Sequence, residues 1–516
     1  MKTRVGSRLS EARRADLFIP QGKLYSGAMN FIRIVLAVLL GAVHSLAQAA
    51  SSPDWPAYGG PQDKSHYSSL RQIDRSNVQR LQTAWQFDTH QQGDTQTQPL
   101  MAAGQVFGYT PLHEVIALDP ATGTLRWKFS SGIEGRGANR GLMFWQHGQE
   151  QRIFAAVDNF VYALDAKSGK AIASFGDQGR IDLRVGLDRD AQAQSVRLTT
   201  PGVIFRDLMI VGGRVSESLP ASPGYIRAYD VKSGALRWTF RTIPGPGEKG
   251  YETWPKDAYT FIGGVNSWPG MTLDAKRGIV YIPTGSAASD FYGADRHGTN
   301  LYANCLLALD AATGRYRWHY QFVHHDLFDR DLPTPPVLAT IKKDRAKIDV
   351  LIQTTKQGYV FVLDRNSGQP VFPVAETAVP SSDVPGEVAH PTQPLPTFPG
   401  PYARQRLTPD GMTTRTPEAA AWARERLATL RQGGPFTPMS VGVDTLIYPG
   451  LDGGAEWGGP AYDPESGLLY INANEMAWLG SLTLNDVGQT AKAIYLRECA
   501  VCHGDDRQGS PPQFPS

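Results

Sequence analysis

The chain has 516 residues, including 53 glycines and 37 prolines, and only 19% of its residues are charged. This composition favours a turn-rich all-β protein over a helical bundle. A net charge of +2, with no Lys/Arg-rich block in the body of the chain, argues against nucleic acid binding, and three cysteines are too few for a disulfide framework.

Residues 1–50 have the pattern of an N-terminal extension with an export signal. The apolar run 34–43 follows Arg33 and precedes Ala47-Gln48-Ala49, which is the order of a cleavable secretory signal. The run is too short to cross a bilayer comfortably, and no second apolar segment follows it. We therefore expect a periplasmic mature chain without a transmembrane span, translated from Met1 or Met29 and beginning near Ala50 or Ser51.

One motif recurs through the body of the chain: an apolar strand, an Asp, a short turn closed by Gly, and a second strand that often contains Trp. Its copies are centred on Asp119, Asp165, Asp230, Asp310, Asp364 and Asp463, with a degenerate copy at Asp274. The carboxylate can accept backbone N–H bonds and Gly tolerates positive φ, so each copy predicts a β-hairpin. Spacings of about 45 residues or more match four-stranded blades, and residues 51–486 are predicted to form a β-propeller. Trp127, Trp238 and Trp318 are interpreted as packing residues between blades.

Two stretches interrupt this rhythm. Residues 376–415 are rich in proline and predict a long irregular surface loop. Thr416 and Pro417 then have the N-cap and first-turn chemistry of a helix, which we expect to continue through Leu427 and Leu430. Residues 491–496 also have a helical pattern, and they open a segment, 487–516, predicted to begin a cytochrome c domain.

The segment 324–333 is the densest cluster of chemically active side chains. It contains two histidines and Asp326, Asp329 and Asp331, and it ends at Pro333. A solvated acidic turn would explain such a cluster, because like charges repel one another unless a cation, a cofactor or water balances them. Its position directly after a repeat unit favours a catalytic loop on a rigid scaffold instead.

Near the C-terminus, Cys499-Ala500-Val501-Cys502-His503 is the most specific short motif. Two cysteines at this spacing can form thioethers with haem vinyl groups, and the adjacent histidine can ligate the iron. Half of a zinc site and a redox dithiol are the competing interpretations. No second Cys/His pair supports the first, and the second does not require His503.

Together these motifs resemble the pyrroloquinoline quinone-dependent dehydrogenases, in the glucose/polyol branch whose propeller contains a cytochrome c segment. The resemblance extends from about Asp54 to the C-terminus. It implies an eight-bladed propeller with the quinone and Ca²⁺ in a central funnel. The adjacent cysteine pair of methanol dehydrogenases is absent, which argues against that branch.

The resemblance implies a role for each matched residue. Asp329 takes the place of the catalytic base, with Asp326 and Asp331 as alternatives, and is ionised at its ordinary pKa of about 4. Phe328 stands where the family commonly has Trp. Lys356, in a Thr-Thr-Lys-Gln-Gly motif, matches the residue that polarises the quinone carbonyls.

Other matched residues are implied to hold the cofactors. Trp254 corresponds to the aromatic floor under the quinone, with Thr253 beside it, and Arg140 to the partner of a quinone carboxylate. Glu217 and Asn266, together with Asp329, are the implied calcium ligands. Cys499, Cys502 and His503 are the implied haem c ligands.

The sequence thus predicts an exported quinohaemoprotein that oxidises an alcohol, polyol or aldose. Electrons would pass to haem c and then to a respiratory quinone or cytochrome. A non-catalytic propeller scaffold is the first alternative, although it needs neither Lys356 nor the haem motif. An inactive fragment is the second, because the chain is predicted to stop short of the last blades and of most of the cytochrome domain.

Overall fold

The computed structural model describes residues 54–135, 137–484, 494–495 and 499–503. The predicted export signal and most of the predicted cytochrome segment, including nearly all of the helix predicted over 491–496, lie outside these residues. None of the helices in the described ranges is long and apolar enough to pass through a lipid bilayer.

Four sheets share one plan, in which four antiparallel strands are hydrogen-bonded in chain order. They are β1 (Leu100–Ala102), β2 (Gln105–Tyr109), β3 (Val115–Leu118), β4 (Leu125–Phe129); β5 (Met143–His147), β6 (Glu150–Val157), β7 (Phe160–Asp165), β8 (Arg180–Asp182); β9 (Val203–Phe205), β10 (Leu208–Val211), β11 (Ile226–Asp230), β12 (Leu236–Phe240); and β13 (Thr272–Asp274), β14 (Ile279–Pro283), β15 (Cys305–Asp310), β16 (Tyr316–Gln321).

The remaining described strands form one three-stranded sheet and three pairs. They are β17 (Val337–Lys343), β18 (Ala346–Thr354), β19 (Val360–Asp364); β20 (Val374–Ala378) with β21 (Thr392–Pro396); β22 (Thr445–Ile447) with β25 (Trp478–Gly480); and β23 (Ala461–Asp463) with β24 (Leu468–Tyr470). The α-helices span Ala258–Phe261, Pro417–Ala428 and Ala500–His503, and short 3-10 helices span Val78–Arg80, Ala191–Ala193, Tyr251–Thr253, Ala294–Arg296 and Pro409–Gly411.

The repeated turn has the geometry that its sequence predicts. Asp165 Oδ1 accepts the Ser168 N–H at 2.8 Å, and the Gly169 N–H donates to the Asp165 carbonyl at 2.8 Å. Gly169 has a φ of +71°, which favours glycine. Equivalent aspartate-capped turns occur at Asp119, Asp230, Asp310, Asp364 and Asp463. The prediction that these aspartates build the scaffold is confirmed.

Tryptophans join neighbouring sheets at these turns. The Trp127 indole at the end of the first sheet lies against Gly169 of the second, and its Nε1–H donates to the Ala166 carbonyl at 3.1 Å. Trp238 packs against Gly314 and Trp318 against Gly368 in the same way. The prediction that these three tryptophans pack between blades is confirmed.

The first strands of successive sheets also contact one another: β5 with β9, β9 with β13, β13 with β17 and β17 with β23. When the first strand of each sheet contacts the first strand of the next, the sheets are arranged around a common axis. The first strands then lie nearest the axis, and the later strands lie farther from it. This is the arrangement of propeller blades, and it confirms the all-β prediction. Loops that leave the strands at one end of the axis are thereby brought together.

Of the two segments between 376 and 430 that interrupt the repeat, the helix is confirmed at its N-terminus and the loop only in part. Thr416 Oγ1 accepts the Ala419 N–H at 3.1 Å, as expected of an N-cap, although the helix ends at Ala428 rather than beyond Leu430. The irregular loop predicted over 376–415 is wrong in part, because it contains the pairing of β20 with β21. β21 includes prolines. A two-stranded pair tolerates them because the outer edge of each strand has no neighbouring strand that would need an N–H donor.

Candidate active site

A cavity of about 610 Å³ lies where the loops from successive sheets converge. Its wall includes Arg140 before β5, Glu217 after β10, Asn266 before β13, Asp329 after β16 and Lys356 after β18. The structure therefore brings together five of the residues that the sequence analysis selected. They are distant in sequence and meet only because the blades surround one axis.

Asp329 and Lys356 form an ion pair in the wall of this cavity. Lys356 Nζ lies 3.0 Å from Asp329 Oδ2 and 3.1 Å from Oδ1. Only 7% of the Lys356 side chain and 17% of the Asp329 side chain are exposed. Asp329 has a φ of +53°, a conformation that costs free energy for a non-glycine residue and that the surrounding structure must enforce. Strain of this kind is typical of catalytic and ligand-binding positions.

Burial and neighbouring charges shift the pKa of both partners. Burial raises the pKa of Asp329 well above its ordinary value, with a further contribution from the negative charge of Asp331, while Lys356 opposes the shift. For Lys356, burial lowers the pKa, but attraction to Asp329 and Asp331 outweighs it and the net pKa is raised. The ordinary carboxylate pKa expected for Asp329 is therefore wrong, and Lys356 stays cationic. A raised pKa makes the Asp329 carboxylate a stronger proton acceptor than an ordinary aspartate.

The other two aspartates of the loop have structural partners. Asp326 Oδ2 accepts the Arg330 N–H at 2.7 Å and the Asn304 Nδ2–H at 2.8 Å, so it holds the loop rather than facing the cavity. Asp331 accepts the Trp268 Nε1–H at 2.6 Å and lines the cavity. Of the three carboxylates, Asp329 alone is paired with a cavity lysine.

Arg140 lies between two indoles. Its guanidinium carbon is 5.2 Å from the ring of Trp268 and 5.1 Å from that of Trp457. Its Nε is buried and has no hydrogen-bond partner. An aromatic wall beside an incompletely satisfied guanidinium fits a flat, conjugated polyanion, because the ring can stack and a carboxylate can accept the remaining N–H.

Glu217 and Asn266 also line the cavity. Glu217 Oε1 lies 3.1 Å from Arg214 Nη2, and Asn266 Nδ2–H donates to the Gly213 carbonyl at 2.8 Å, which leaves its amide oxygen available. Carboxylate and amide oxygens are the donors that Ca²⁺ prefers. Within the described part of the chain, no three or more His, Cys, Asp or Glu side chains are grouped so as to hold a metal ion.

Trp254 and Thr253 lie outside the cavity wall, and their assignment as quinone contacts needs correction. Trp254 is buried in an apolar cluster with Ala258 and Ile262, and its Nε1–H donates to the Leu301 carbonyl. Thr253 Oγ1–H donates to the Gly250 carbonyl at 2.6 Å. Both residues thus belong to the packed connection between β12 and β13 and do not line the cavity.

Trp268 supplies the aromatic wall instead. It lies two residues after Asn266, which was implied to be a calcium ligand. This closeness in sequence was the signal that could have identified Trp268 as a cavity residue. The sequence analysis also missed Asp290, which is 7% exposed and lines the cavity. No hydrogen-bond donor to its carboxylate is observed among the described residues. Its carboxylate therefore reaches the cavity, where it could accept a hydrogen bond from a ligand.

The cysteine motif is described only in part. The Cys499 N–H donates to the Tyr495 carbonyl at 2.8 Å, and the His503 N–H donates to the Cys499 carbonyl at 2.9 Å. These bonds define a helical turn that places Cys499 and His503 four residues apart on one face. The Cys502 side chain lies outside the described residues.

The fold is a β-propeller. Its axial cavity is polar and contains a buried acid–lysine pair and an aromatic wall, which are features of an enzyme active site. Residues 55–509 match the family model described as "PQQ: Glucose/ethanol/alcohol dehydrogenase, beta-propeller domain". The chain belongs to this family, in which PQQ denotes pyrroloquinoline quinone.

Individual relatives agree with that membership. The chain is 32% identical over 485 residues to quinoprotein glucose dehydrogenase A of Acinetobacter calcoaceticus, covering 85% of this chain and 59% of the relative. It is 32% identical over 456 residues to the glycerol dehydrogenase large subunit of Gluconobacter oxydans, covering 83% and 61%. The crystal structure of quinohemoprotein alcohol dehydrogenase from Comamonas testosteroni superposes with a TM-score of 0.61 at 25% identity, covering 82% and 58%. The chain thus spans about three-fifths of the length of these relatives.

Proposed function

We propose that this protein is a quinone-dependent dehydrogenase that oxidises a hydroxyl group of an alcohol, polyol or aldose with bound pyrroloquinoline quinone. The main support is the Asp329–Lys356 pair, buried at 3.0 Å in the wall of a cavity large enough for a cofactor and a small substrate. Arg140 and Trp268 supply the cation and the aromatic face that a flat polyanionic cofactor requires.

Each residue has a separate task in this reaction. When bound, the quinone would supply the two-electron oxidising power that the conversion of a carbinol to a carbonyl requires. Asp329 accepts the hydroxyl proton, and Lys356 offers a fixed positive charge to oxygen atoms that become more negative. Lys356 also anchors Asp329 before the substrate arrives, so that little rearrangement is needed during the reaction. Trp268 is held in place by its hydrogen bond to Asp331.

Further cofactors complete the proposal. Oxygen atoms of Glu217, Asn266 and Asp329 would hold Ca²⁺, whose charge would balance the acidic cavity. Cys499, Cys502 and His503 would hold haem c. Electrons would then leave to a respiratory quinone or cytochrome in the periplasm. Export, haem attachment and calcium binding each require their own measurement.

Activity can be tested by reconstituting the purified full chain with pyrroloquinoline quinone and Ca²⁺ and following dye reduction with alcohols, polyols and sugars. Replacing Asp329 by Asn keeps the shape but removes the base, so we expect kcat to fall by about a hundredfold or more. Asp295→Asn is the matched control, because Asp295 is exposed and does not line the cavity. Wild-type kcat in Asp329→Asn would refute the base assignment. Absence of quinone binding by the wild-type chain would favour the scaffold alternative.

A further inference from the structure

Arg330 lies between Asp329 and Asp331 in sequence, but its side chain leaves the cavity. The residue is fully buried. Its guanidinium donates three hydrogen bonds to backbone carbonyls: Nε to Pro435 at 3.2 Å, Nη1 to Gly450 at 3.0 Å and Nη2 to Pro449 at 2.8 Å. All three acceptors are neutral, so this is not an ion pair. A buried arginine used in this way connects two parts of the backbone with fixed geometry.

One end of this connection is the loop that presents Asp329. The Arg330 N–H donates to Asp326 Oδ2 at 2.7 Å, and the Arg330 carbonyl accepts the Asn304 Nδ2–H at 3.1 Å. The two peptide groups that flank the Cα of Arg330, directly after Asp329, are therefore both held by hydrogen bonds. Such bonds provide the constraint that the positive φ of Asp329 requires.

The other end is the turn that supports Lys356. Gly453 N–H donates to the Gly450 carbonyl at 3.0 Å, and Gly454 N–H donates to the Lys356 carbonyl at 2.6 Å. A Cβ on Gly453 would lie 2.5 Å from Lys356 Cγ, so the lysine side chain rests directly on this glycine. Arg330 is thus hydrogen-bonded to Pro449 and Gly450, in the same segment that contacts Lys356.

We propose that Arg330 is a positioning residue that couples the location of Asp329 to that of Lys356. Its role in oxidation rests on the proposed dehydrogenase function, but its effect on the ion pair does not. Losing the guanidinium would remove the donor to the buried Pro449 carbonyl and to the partly buried Pro435 carbonyl, and one of the two donors to the Gly450 carbonyl. It would also free the turn at residues 449–454 from the acidic loop. A displacement of about 1 Å between reacting groups can cost about a hundredfold in rate.

The ion pair itself supplies a measurement that needs no cofactor. A double-mutant cycle of Asp329→Asn and Lys356→Met, read as urea unfolding of the full chain, measures the coupling between the two side chains. In the wild-type background we expect a coupling of about tenfold in the unfolding equilibrium constant. With Arg330→Met in the background, the coupling should fall to about twofold or less. Arg330→Lys provides a second variant that keeps the buried charge, and since one ammonium cannot reach all three carbonyls, the coupling should again be reduced.

Arg227→Met is the matched control. Arg227 is also almost fully buried and donates to a carbonyl, that of Val185 at 2.8 Å, but it lies on β11 and does not line the cavity. Its loss should lower stability while leaving the coupling and kcat unchanged. In the reconstituted enzyme, Arg330→Met should lower kcat by about a hundredfold with a smaller change in KM.

The outcomes separate the two proposals. If the wild-type chain oxidises no hydroxyl substrate and Arg330→Met still abolishes the coupling, the positioning role stands and the dehydrogenase proposal fails. If the coupling survives in both Arg330 variants, the positioning role is overturned, whatever the activity. An equal loss of coupling in Arg227→Met would also overturn it, because the effect would then follow from any loss of stability.

Discussion

The contact between Gly169 and Trp127 predicts how much one methyl group destabilises a blade interface. In Gly169→Ala, the new Cβ would lie 2.4 Å from Trp127 Cε3, and the residue would keep a φ of +71°. The left-handed backbone alone costs about 1–2 kcal/mol for an L-residue. Displacing a buried indole from a packed interface adds about 1–3 kcal/mol. We therefore expect the free energy of unfolding to fall by about 2–5 kcal/mol.

Gly467 provides a control for the backbone contribution. It occupies the same position in the turn at Asp463, with a φ of +73°, and no heavy atom outside its immediate neighbours lies within 4 Å of an added Cβ. Gly467→Ala should therefore cost only about 1–2 kcal/mol. Urea unfolding of both variants gives the difference. In a Trp127→Ala background that difference should largely disappear, because the obstructing ring is absent.

Equal destabilisation by the two glycine variants would refute this reasoning. It would mean that Trp127 yields to the extra methyl group without loss, so that tryptophan packing does not determine how tightly the first two blades join. A difference that persisted in the Trp127→Ala background would place the steric conflict elsewhere in the interface.

Two further predictions concern a buried lysine and the aromatic wall. Burial lowers the pKa of Lys64 to about 8 from 10.5. Between pH 8 and pH 10.5 the unfolded chain therefore binds more protons than the folded chain. The free energy of unfolding should then rise with pH, by about 3 kcal/mol over this range. Denaturant unfolding at pH 8 and pH 10.5 should show this rise reduced in Lys64→Met; an unchanged rise would contradict it. Trp268→Leu should weaken quinone binding about tenfold in a fluorescence titration. Trp254→Leu should lower thermal stability with little effect on quinone affinity, and the reverse pattern would restore Trp254 as the quinone contact.

The sequence determined the features that depend on neighbouring residues. The aspartate-capped turns were predictable because the carboxylate accepts N–H groups only two or three residues away and the glycine accommodates positive φ at its own position. The N-cap at Thr416 followed from equally local chemistry. The loop at residues 324–333 was recognisable because its charges could not be buried without partners.

Only the tertiary structure decided which side chains face the axis. Trp254 and Trp268 both occur in motifs next to polar residues, yet Trp254 is buried in an apolar cluster and Trp268 forms part of the cavity wall. The buried carboxylate of Asp290 and the raised pKa of Asp329 were equally hidden, because burial is a property of the assembled blades. Asp329 and Lys356 are 27 residues apart in sequence and 3.0 Å apart in space. That distance is set by the packing of successive sheets around a common axis, which no local pattern of residues records.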